Sequence, residues 1–201
     1  WLYARMARGS LLRRVYRRFA ADLAASLPAG AQVLDVGTGP GYLPALLARA
    51  RPDLDLCGLD FAYAMIRRAR RRHPIPSKWL VADSQALPFP AGVFDQTVAS
   101  FSLHIWPRPV MGVQEMTRVL KPGGRAWIYE LRREAETEKL RQFARTERLP
   151  FPLVYLGFKA VSLHHSLKQA EFAAILQTAV GSHWRLEAAH HLFWRAALWR
   201  P

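Results

Sequence analysis

Residues 33 to 48 read VLDVGTGPGYLPALLA, with Gly37, Gly39 and Gly41 on alternate positions after an apolar run that contains Asp35. Gly37 lets the chain turn sharply, and the bare backbone at Gly39 and Gly41 can approach a ligand closely. A dinucleotide fingerprint would place its next glycine at position 42, where the chain has Tyr42, so that pattern fails. Two further acids follow apolar runs: Asp60 closes DLCGLD and Asp83 closes KWLVAD. A carboxylate at Asp60 can accept two hydrogen bonds from the hydroxyls of a ribose. An adenine amino group can donate to Asp83, with the backbone of Ser84 and Gln85 placed to read the ring edge. Each acid alone could be a helix cap or a turn residue. Asp35, Asp60 and Asp83, in order and each at a strand end, point to one ligand carrying an amino group, a ribose and an adenine.

The elements that must position these residues alternate between two periodicities. A helix is expected over about 10 to 27, stopped by Pro28 and Gly30. Strands are expected at 32–37, 55–60, 78–83, 94–101 and 125–131. Helices are expected over about 41 to 50, over YAMIRRARRR, and over 110–120, the last stopped by KPGG. Such alternation argues a parallel sheet with helices on both faces, and in such sheets ligands bind beyond the carboxyl ends of the strands. After residue 131 the character changes. A charged helical segment precedes LPFPLVYLGF, which reads as a loop or lid, and then an amphipathic helix over 166 to 180. WRLEAAHH and LFWRAALWR are close enough to pair as a hairpin. The expected fold is α/β: Rossmann-like and doubly wound, with a mostly parallel seven-stranded sheet and an antiparallel C-terminal hairpin at its edge. We expect one domain over 1–201: an N-terminal helix or lid (1–30), a cofactor-binding core (31–131), and a lid segment, helix and hairpin (132–201).

Composition bounds the class. The chain has 201 residues, half of them apolar, enough for a full core. No uninterrupted apolar run approaches ~18 residues, so no membrane-spanning helix is expected. No apolar segment follows the N-terminal arginines, so no signal peptide is read and a cytoplasmic location is expected. The chain begins at Trp1, as a truncated or processed one would. Its one cysteine, Cys57, excludes an internal disulfide and is expected to be a small buried hydrophobe. The net charge is +14, largely from arginines in runs at 4 to 19 and 66 to 73. Such charge suits nucleic acid, an anionic membrane or an acidic substrate. Leu12, Val15, Tyr16, Phe19, Leu23 and Leu27 recur at helical spacing between the first run's arginines, so solvated helix faces are the preferred reading.

The chain resembles the class I S-adenosylmethionine-dependent methyltransferases, in particular the methyltransferase type 11 group. The resemblance rests on VLDVGTGPGYLPALLA, LCGLDFAYAMIRRAR, VADSQALPFPAGVFDQTVASFSLHIW and EMTRVLKPGGRAWIYEL. These cover roughly residues 32 to 131 in the family's order. It implies S-adenosylmethionine as cofactor, S-adenosylhomocysteine as product and a small-molecule methyl acceptor. It further implies that Asp35, Gly37, Thr38 and Gly39 hold the methionine part and that Asp60 binds the ribose. Phe61 and Met65 would pack on adenine, Asp83, Ser84 and Gln85 would read it, and Ser100 and Phe101 would line the methionine end. The family often has a serine two residues after the ribose acid; Ala62 here loses a helix cap but not the ribose contact. His104 stands where family members often carry histidine. It is either the catalytic base or a histidine packed against cofactor or lid.

Rival readings follow from other features. The arginine runs suggest a nucleic-acid methyltransferase. Against it, SFSL replaces the proline-rich motif of amino-directed DNA enzymes, and Cys57 is out of place for a cytosine C5 nucleophile. A non-catalytic methyltransferase-like binding domain is a second alternative. A nicotinamide-dependent dehydrogenase is weakened by Tyr42 and Asp83, and the absence of further cysteines weighs against an arsenite-type enzyme. The pairs His164–His165 and His190–His191 are read as strand or lid residues that do not converge on a metal. Trp106, Tyr155 and Phe158 could form an apolar pocket, and Tyr3 could close over the cofactor.

Overall fold

The computed structural model describes residues 10–75, 77–162 and 166–200. In chain order the elements are α1 (Ser10–Ser26), β1 (Gln32–Val36), α2 (Tyr42–Ala50), β2 (Asp55–Asp60), α3 (Tyr63–Arg72), β3 (Ser77–Val81) and β4 (Phe94–Ser100). A short 3-10 turn (Leu103–Ile105) leads into α4 (Pro109–Arg118) and β5 (Leu120–Leu131). Then come α5 (Thr137–Glu147), α6 (Phe151–Ser162), α7 (Gln169–Val180), β6 (Trp184–Ala189) and β7 (Phe193–Trp199). The seven strands form one sheet in the order β3-β2-β1-β4-β5-β7-β6. The first five are parallel; β7 runs antiparallel to both β5 and β6. This is the expected doubly wound sheet with its C-terminal hairpin. The strand order reverses between β1 and β4, which opens a crevice at their carboxyl ends.

Alternation along the strands divides the core between the two faces of the sheet. Val33, Val98, Trp127, Tyr129 and Phe193 meet α1, α2, α5 and α6 on one face. Leu34, Val36, Cys57, Ala99, Ala126, Ile128 and Trp194 meet α4 and α7 on the other. Cys57 is buried, and burial pushes its thiol up to about 12, so it packs as an inert hydrophobe. Ile66 and Ala69 of α3 cover Trp79 of β3.

Several boundaries and one element differ from expectation. LPFPLVYLGF is not a loop: Phe151–Ser162 is a helix with Val154, Phe158 and Ser162 buried. Pro152 reads as a breaker, but it stands in the first turn, where its missing N–H has no intrahelical partner to lose. β3 ends at Val81, so Asp83 lies in the following turn rather than in the strand. β5 begins at Leu120 instead of 125, because KPGG continues the extended chain beside β4 through a register shift between Phe94 and Gln96. His190 and His191 are not strand residues. Both have positive φ, 46° and 69°, and turn the β6–β7 hairpin.

Part of the first arginine run is also reassigned. Arg14 and Arg18 form ion pairs with Glu147 of α5, whose side chain is buried. They tie α1 to α5 rather than lying on a solvated face. In the second run, Arg67, Arg70, Arg71 and Arg72 are exposed, as expected.

Candidate functional site

The turn after β1 is built by its neighbours. The amides of Gly37 and Thr38 both donate to the Leu59 carbonyl, at 2.9 and 2.8 Å, which locks the turn onto β2. Gly37 has φ +75°, and a Cβ there would lie 2.6 Å from the Ser102 side chain. Only glycine permits both the conformation and the approach. Ser102 Oγ donates to the Val36 carbonyl at 3.2 Å, so the chain leaving β4 is stitched against the turn leaving β1. At Gly39 the Cβ direction is open, with no atom within 4 Å.

Asp35 and Thr38 lie beneath this turn, both buried, with the Thr38 hydroxyl donating to Asp35 Oδ2 at 2.6 Å. Asp35 Oδ1 is buried and has no hydrogen-bond partner among the described residues. Burial pushes the Asp35 carboxyl up to about 7, the Thr38 hydrogen bond opposes the rise, and the nearby Asp60 charge adds to it. Asp60 accepts the amides of Gly39 and Ala62, each at 2.8 Å, one on each oxygen. An ionised carboxylate has further lone pairs for hydroxyl donors. Ala62 starts α3 with no side-chain cap, as the sequence implied, and the Asp60 carboxylate takes up its amide instead. Beside it Phe61 is 78% exposed, a large apolar ring held at the site's edge. Met65, one helical turn further, is half-buried.

Asp83 accepts the Gln85 amide at 2.9 Å and the Gln85 side-chain amide at 3.0 Å. The backbone hydrogen bond from Gln85, then its side chain, hold the Asp83 carboxyl below the ordinary value. Ser84 is buried next to it. Ser100 ends β4 and is buried. Phe101 follows with φ 54°, and its ring enters an aromatic cluster with Tyr16 (5.8 Å), Phe19 (5.5 Å) and Phe193 (5.5 Å). Tyr16 also lies 6.0 Å from Tyr42, so α1 covers the start of α2 beside the glycine turn.

These residues fit a ligand of the adenosine type with a charged amino-acid end. The orphaned Asp35 oxygen, the open cradle at Gly39 and the exposed Phe61 ring all lie about one turn of chain. Asp35 and Thr38 could hold a cation, Asp60 a ribose, and Asp83 with Gln85 an adenine edge.

The structure also supplies a residue that the sequence reading passed over. Glu130, on β5, is fully buried. Its Oε1 accepts the Leu103 amide at 2.8 Å, and its Oε2 lies 2.8 Å from His104 Nδ1. A signal was present: Glu130 interrupts the apolar run RAWIYEL near its end, as Asp35, Asp60 and Asp83 do theirs. The strand-end rule applied to the fifth strand would have found it.

Other candidates do not converge. Trp106 packs with the α4 and α7 face of the sheet, whereas Phe158 is buried on the opposite face and Tyr155 is partly exposed. They form no common pocket. His190 Nε2 meets Asp22 Oδ2 of α1 at 2.9 Å, and Arg195 reaches the same oxygen at 3.2 Å. Among the described residues no group of three or more His, Cys, Asp or Glu could hold a metal. Tyr3, His164 and His165 lie outside the described residues.

Comparison with known proteins agrees with this fold. Residues 33–124 match a family model described as a methyltransferase domain. An uncharacterised methyltransferase of Bacillus subtilis is 34% identical over 119 residues, which is 58% of this chain and 66% of that protein. A demethylmenaquinone methyltransferase of Thermus thermophilus is 37% identical over 118 residues, covering 57% of this chain and 53% of that one. The matches thus span about half to two thirds of these relatives' length. A SAM-dependent methyltransferase structure from Thermotoga maritima superposes with a TM-score of 0.70 at 15% identity, over 99% of this chain and 96% of its own. The plantazolicin methyltransferase BpumL, solved with S-adenosylhomocysteine, gives 0.67 at 14% identity, over 92% and 82%. At such identities the structural likeness is one of fold.

The matched residues are those of a methyltransferase domain, and the sheet has the fold of the class I S-adenosylmethionine-dependent methyltransferases. Within that class the chain carries its methyltransferase domain over residues 33–124.

Proposed function

We propose that this protein transfers a methyl group from S-adenosylmethionine to a small-molecule acceptor. The observation that carries the reading is the set of acids at the carboxyl ends of successive strands around one glycine turn. Asp60 and Asp83 have lone pairs beyond those engaged within the chain, and Asp35 keeps one buried oxygen unpartnered among the described residues. When bound, the cofactor supplies a methyl on a sulfonium, a leaving group that is already activated. The protein's share is then alignment and exclusion of water.

In this reading Asp35, Gly37, Thr38 and Gly39 bind the methionine end, with Ser100 and Phe101 beside it. Asp60 binds the ribose, Phe61 and Met65 pack on the adenine, and Asp83, Ser84 and Gln85 read its edge. His104 takes the acceptor's proton. Curated relatives named for demethylmenaquinone and for malonyl-[acyl-carrier protein] support an acceptor other than a nucleic acid. The exposed arginines of α3 favour one second reading, an RNA methyltransferase. The chain would act as a single domain over 1–201, in the cytoplasm; among the described residues no helix is long and apolar enough to cross a membrane.

Calorimetry with S-adenosylmethionine is the direct test. Wild type is expected to bind, and Asp60→Ala to lose at least tenfold to a hundredfold in affinity, since hydrogen bonds to a charged group contribute ~1.5–3 kcal/mol each. No binding by wild type, or an unchanged affinity in Asp60→Ala, would remove the proposal.

A further inference from the structure

We propose that α6 is an interfacial helix that seats this protein on a bilayer of anionic phospholipid. Leu153, Leu156 and Ala160 enter the acyl boundary, and a border of cations meets the headgroup phosphates. The inference does not depend on the methyl-transfer reading.

α6 is apolar on both sides. Val154, Phe158 and Ser162 recur at every fourth residue and are buried, so this side packs on the core. Leu153, Leu156 and Ala160 follow the i, i+3, i+7 spacing of the opposite stripe. Leu153 is 61% exposed and Leu156 66%. Pro152, Gly157 and Ala160 are exposed beside them. Lys159 is the one charged residue of the helix, and its long stem can lie along apolar surface while its head points to water. A helix that is apolar all round is normally covered on every side.

The charge around the stripe says what covers it. The chain has no Asp or Glu from 148 to 170. Arg141 and Arg145 of α5, Arg148 in the turn and Lys159 are all exposed. Within α5 and α6 the only exposed acid is Glu138, 3.6 Å from both Arg141 and Arg145. Arg141 lies over the Phe151 ring at 5.3 Å, and Lys159 over the Tyr155 ring at 5.8 Å. An aliphatic centre with an aromatic and basic border is the make-up of a helix that lies in the headgroup plane.

Other occupants fit this face less well. α6 has 12 residues. A helix of that length is ~18 Å long and ~10 Å across, which offers about 200 Å². A stable protein interface needs about 800 Å² from each partner. A bilayer sets no such minimum, because each immersed side chain and each cation adds its own share. A nucleic acid would use the cations and rings, but it would leave Leu153 and Leu156 in water, since they have no π-face on which a base can stack.

Flotation of the protein with lipid vesicles is the test. Binding is expected at physiological salt to vesicles of phosphatidylglycerol and phosphatidylcholine in equal parts. On phosphatidylcholine alone it should be weaker by roughly tenfold or more. The net charge of +14 draws the chain to any anionic surface, so the leucines are the deciding variable. Leu153→Ser combined with Leu156→Ser should weaken binding to the mixed vesicles roughly tenfold or more, with the thermal midpoint unchanged. A fluorophore sensitive to polarity, attached at Leu156→Cys, should shift to the blue on mixed vesicles, and one at Arg71→Cys on α3 should not. Cys57 is buried and does not compete for the label. The proposal is overturned by no binding to mixed vesicles, by equal binding of the leucine variant, by equal binding to phosphatidylcholine alone, or by an unshifted label at 156. A lipid-free dimer in sedimentation velocity that the leucine substitutions dissolve would also overturn it, because a second copy would then cover the face.

Discussion

The Asp35 carboxyl is pushed up to about 7, mainly by burial, well above its ordinary value. Below about pH 4 the folded and unfolded chains both carry this proton, and it contributes nothing to stability. As pH rises from there, the unfolded chain loses the proton first, so stability falls until the folded group also ionises near 7. The cost above pH 7 is ~4 kcal/mol, taken as ~1.4 kcal/mol per unit. Urea unfolding of wild type across this window should therefore show a falling contribution that Asp35→Asn abolishes. A cation bound beside Asp35 would reverse the penalty, because it favours the ionised form. Binding of S-adenosylmethionine near pH 6 is thus expected to release close to one proton. The release should vanish near pH 9 and in Asp35→Asn. Calorimetry in two buffers of different ionisation enthalpy measures it, and equal heats in both buffers at pH 6 would refute the linkage.

At the scale of elements, α1 is held more firmly than its arginine-rich sequence suggests. Its carbonyl at Ala24, and those of Leu27 and Pro28 just beyond it, receive the Arg51 guanidinium at 2.9 to 3.0 Å. The Ala24 carbonyl is an end group that a helix leaves unpaired. Phe19 is fully buried and stacks on Tyr129 of β5 at 4.0 Å. Glu147 then binds Arg14 and Arg18 from α5. Losing one partner of a buried ion pair costs ~3–5 kcal/mol, but these guanidiniums are partly exposed, so about 2 kcal/mol is expected for Glu147→Ala. Amide exchange should quicken in α1 and in the end of α5 with little change in β1 or β4. Uniform acceleration across the sheet would contradict a local clamp. Because α1 carries Tyr16 next to Tyr42 and Phe101, this clamp also sets how tightly the helix covers the glycine turn.

For the whole molecule, ligand binding and charge make separate predictions. Saturation with S-adenosylmethionine at a hundred times its dissociation constant should stabilise the fold by ~2.7 kcal/mol. For a chain of this size that raises the thermal midpoint by roughly 5–10 °C. A midpoint unmoved by the cofactor would contradict the site. The net charge of +14, exposed in part on α3, predicts RNA binding at low salt that disappears steeply as salt rises. Persistence at physiological salt with a sequence preference would instead favour the RNA methyltransferase reading.

Much of this protein was legible in order along the chain. Local periodicity placed the five parallel strands and the helices between them, because a half-buried helix or strand must repeat its apolar residues at its own pitch. The places of Asp35 and Asp60 at strand ends and of Gly37 and Gly39 in the turn were legible because strand ends and tight turns demand particular residue types at fixed offsets. What depended on contacts distant in sequence was not. The helix Phe151–Ser162 was hidden by Pro150 and Pro152, whose harmlessness depends on where the first turn begins. Arg14 and Arg18 read as solvated until α5 brought Glu147 to them. Glu130 gained its meaning only when β5 lay beside β4 and carried its carboxylate under His104. Most of the elements and the glycine turn were readable from the chain alone, because they follow from short-range geometry. Only the tertiary structure decided which buried charges meet, since a carboxylate's partners are chosen by the packing that removes it from water.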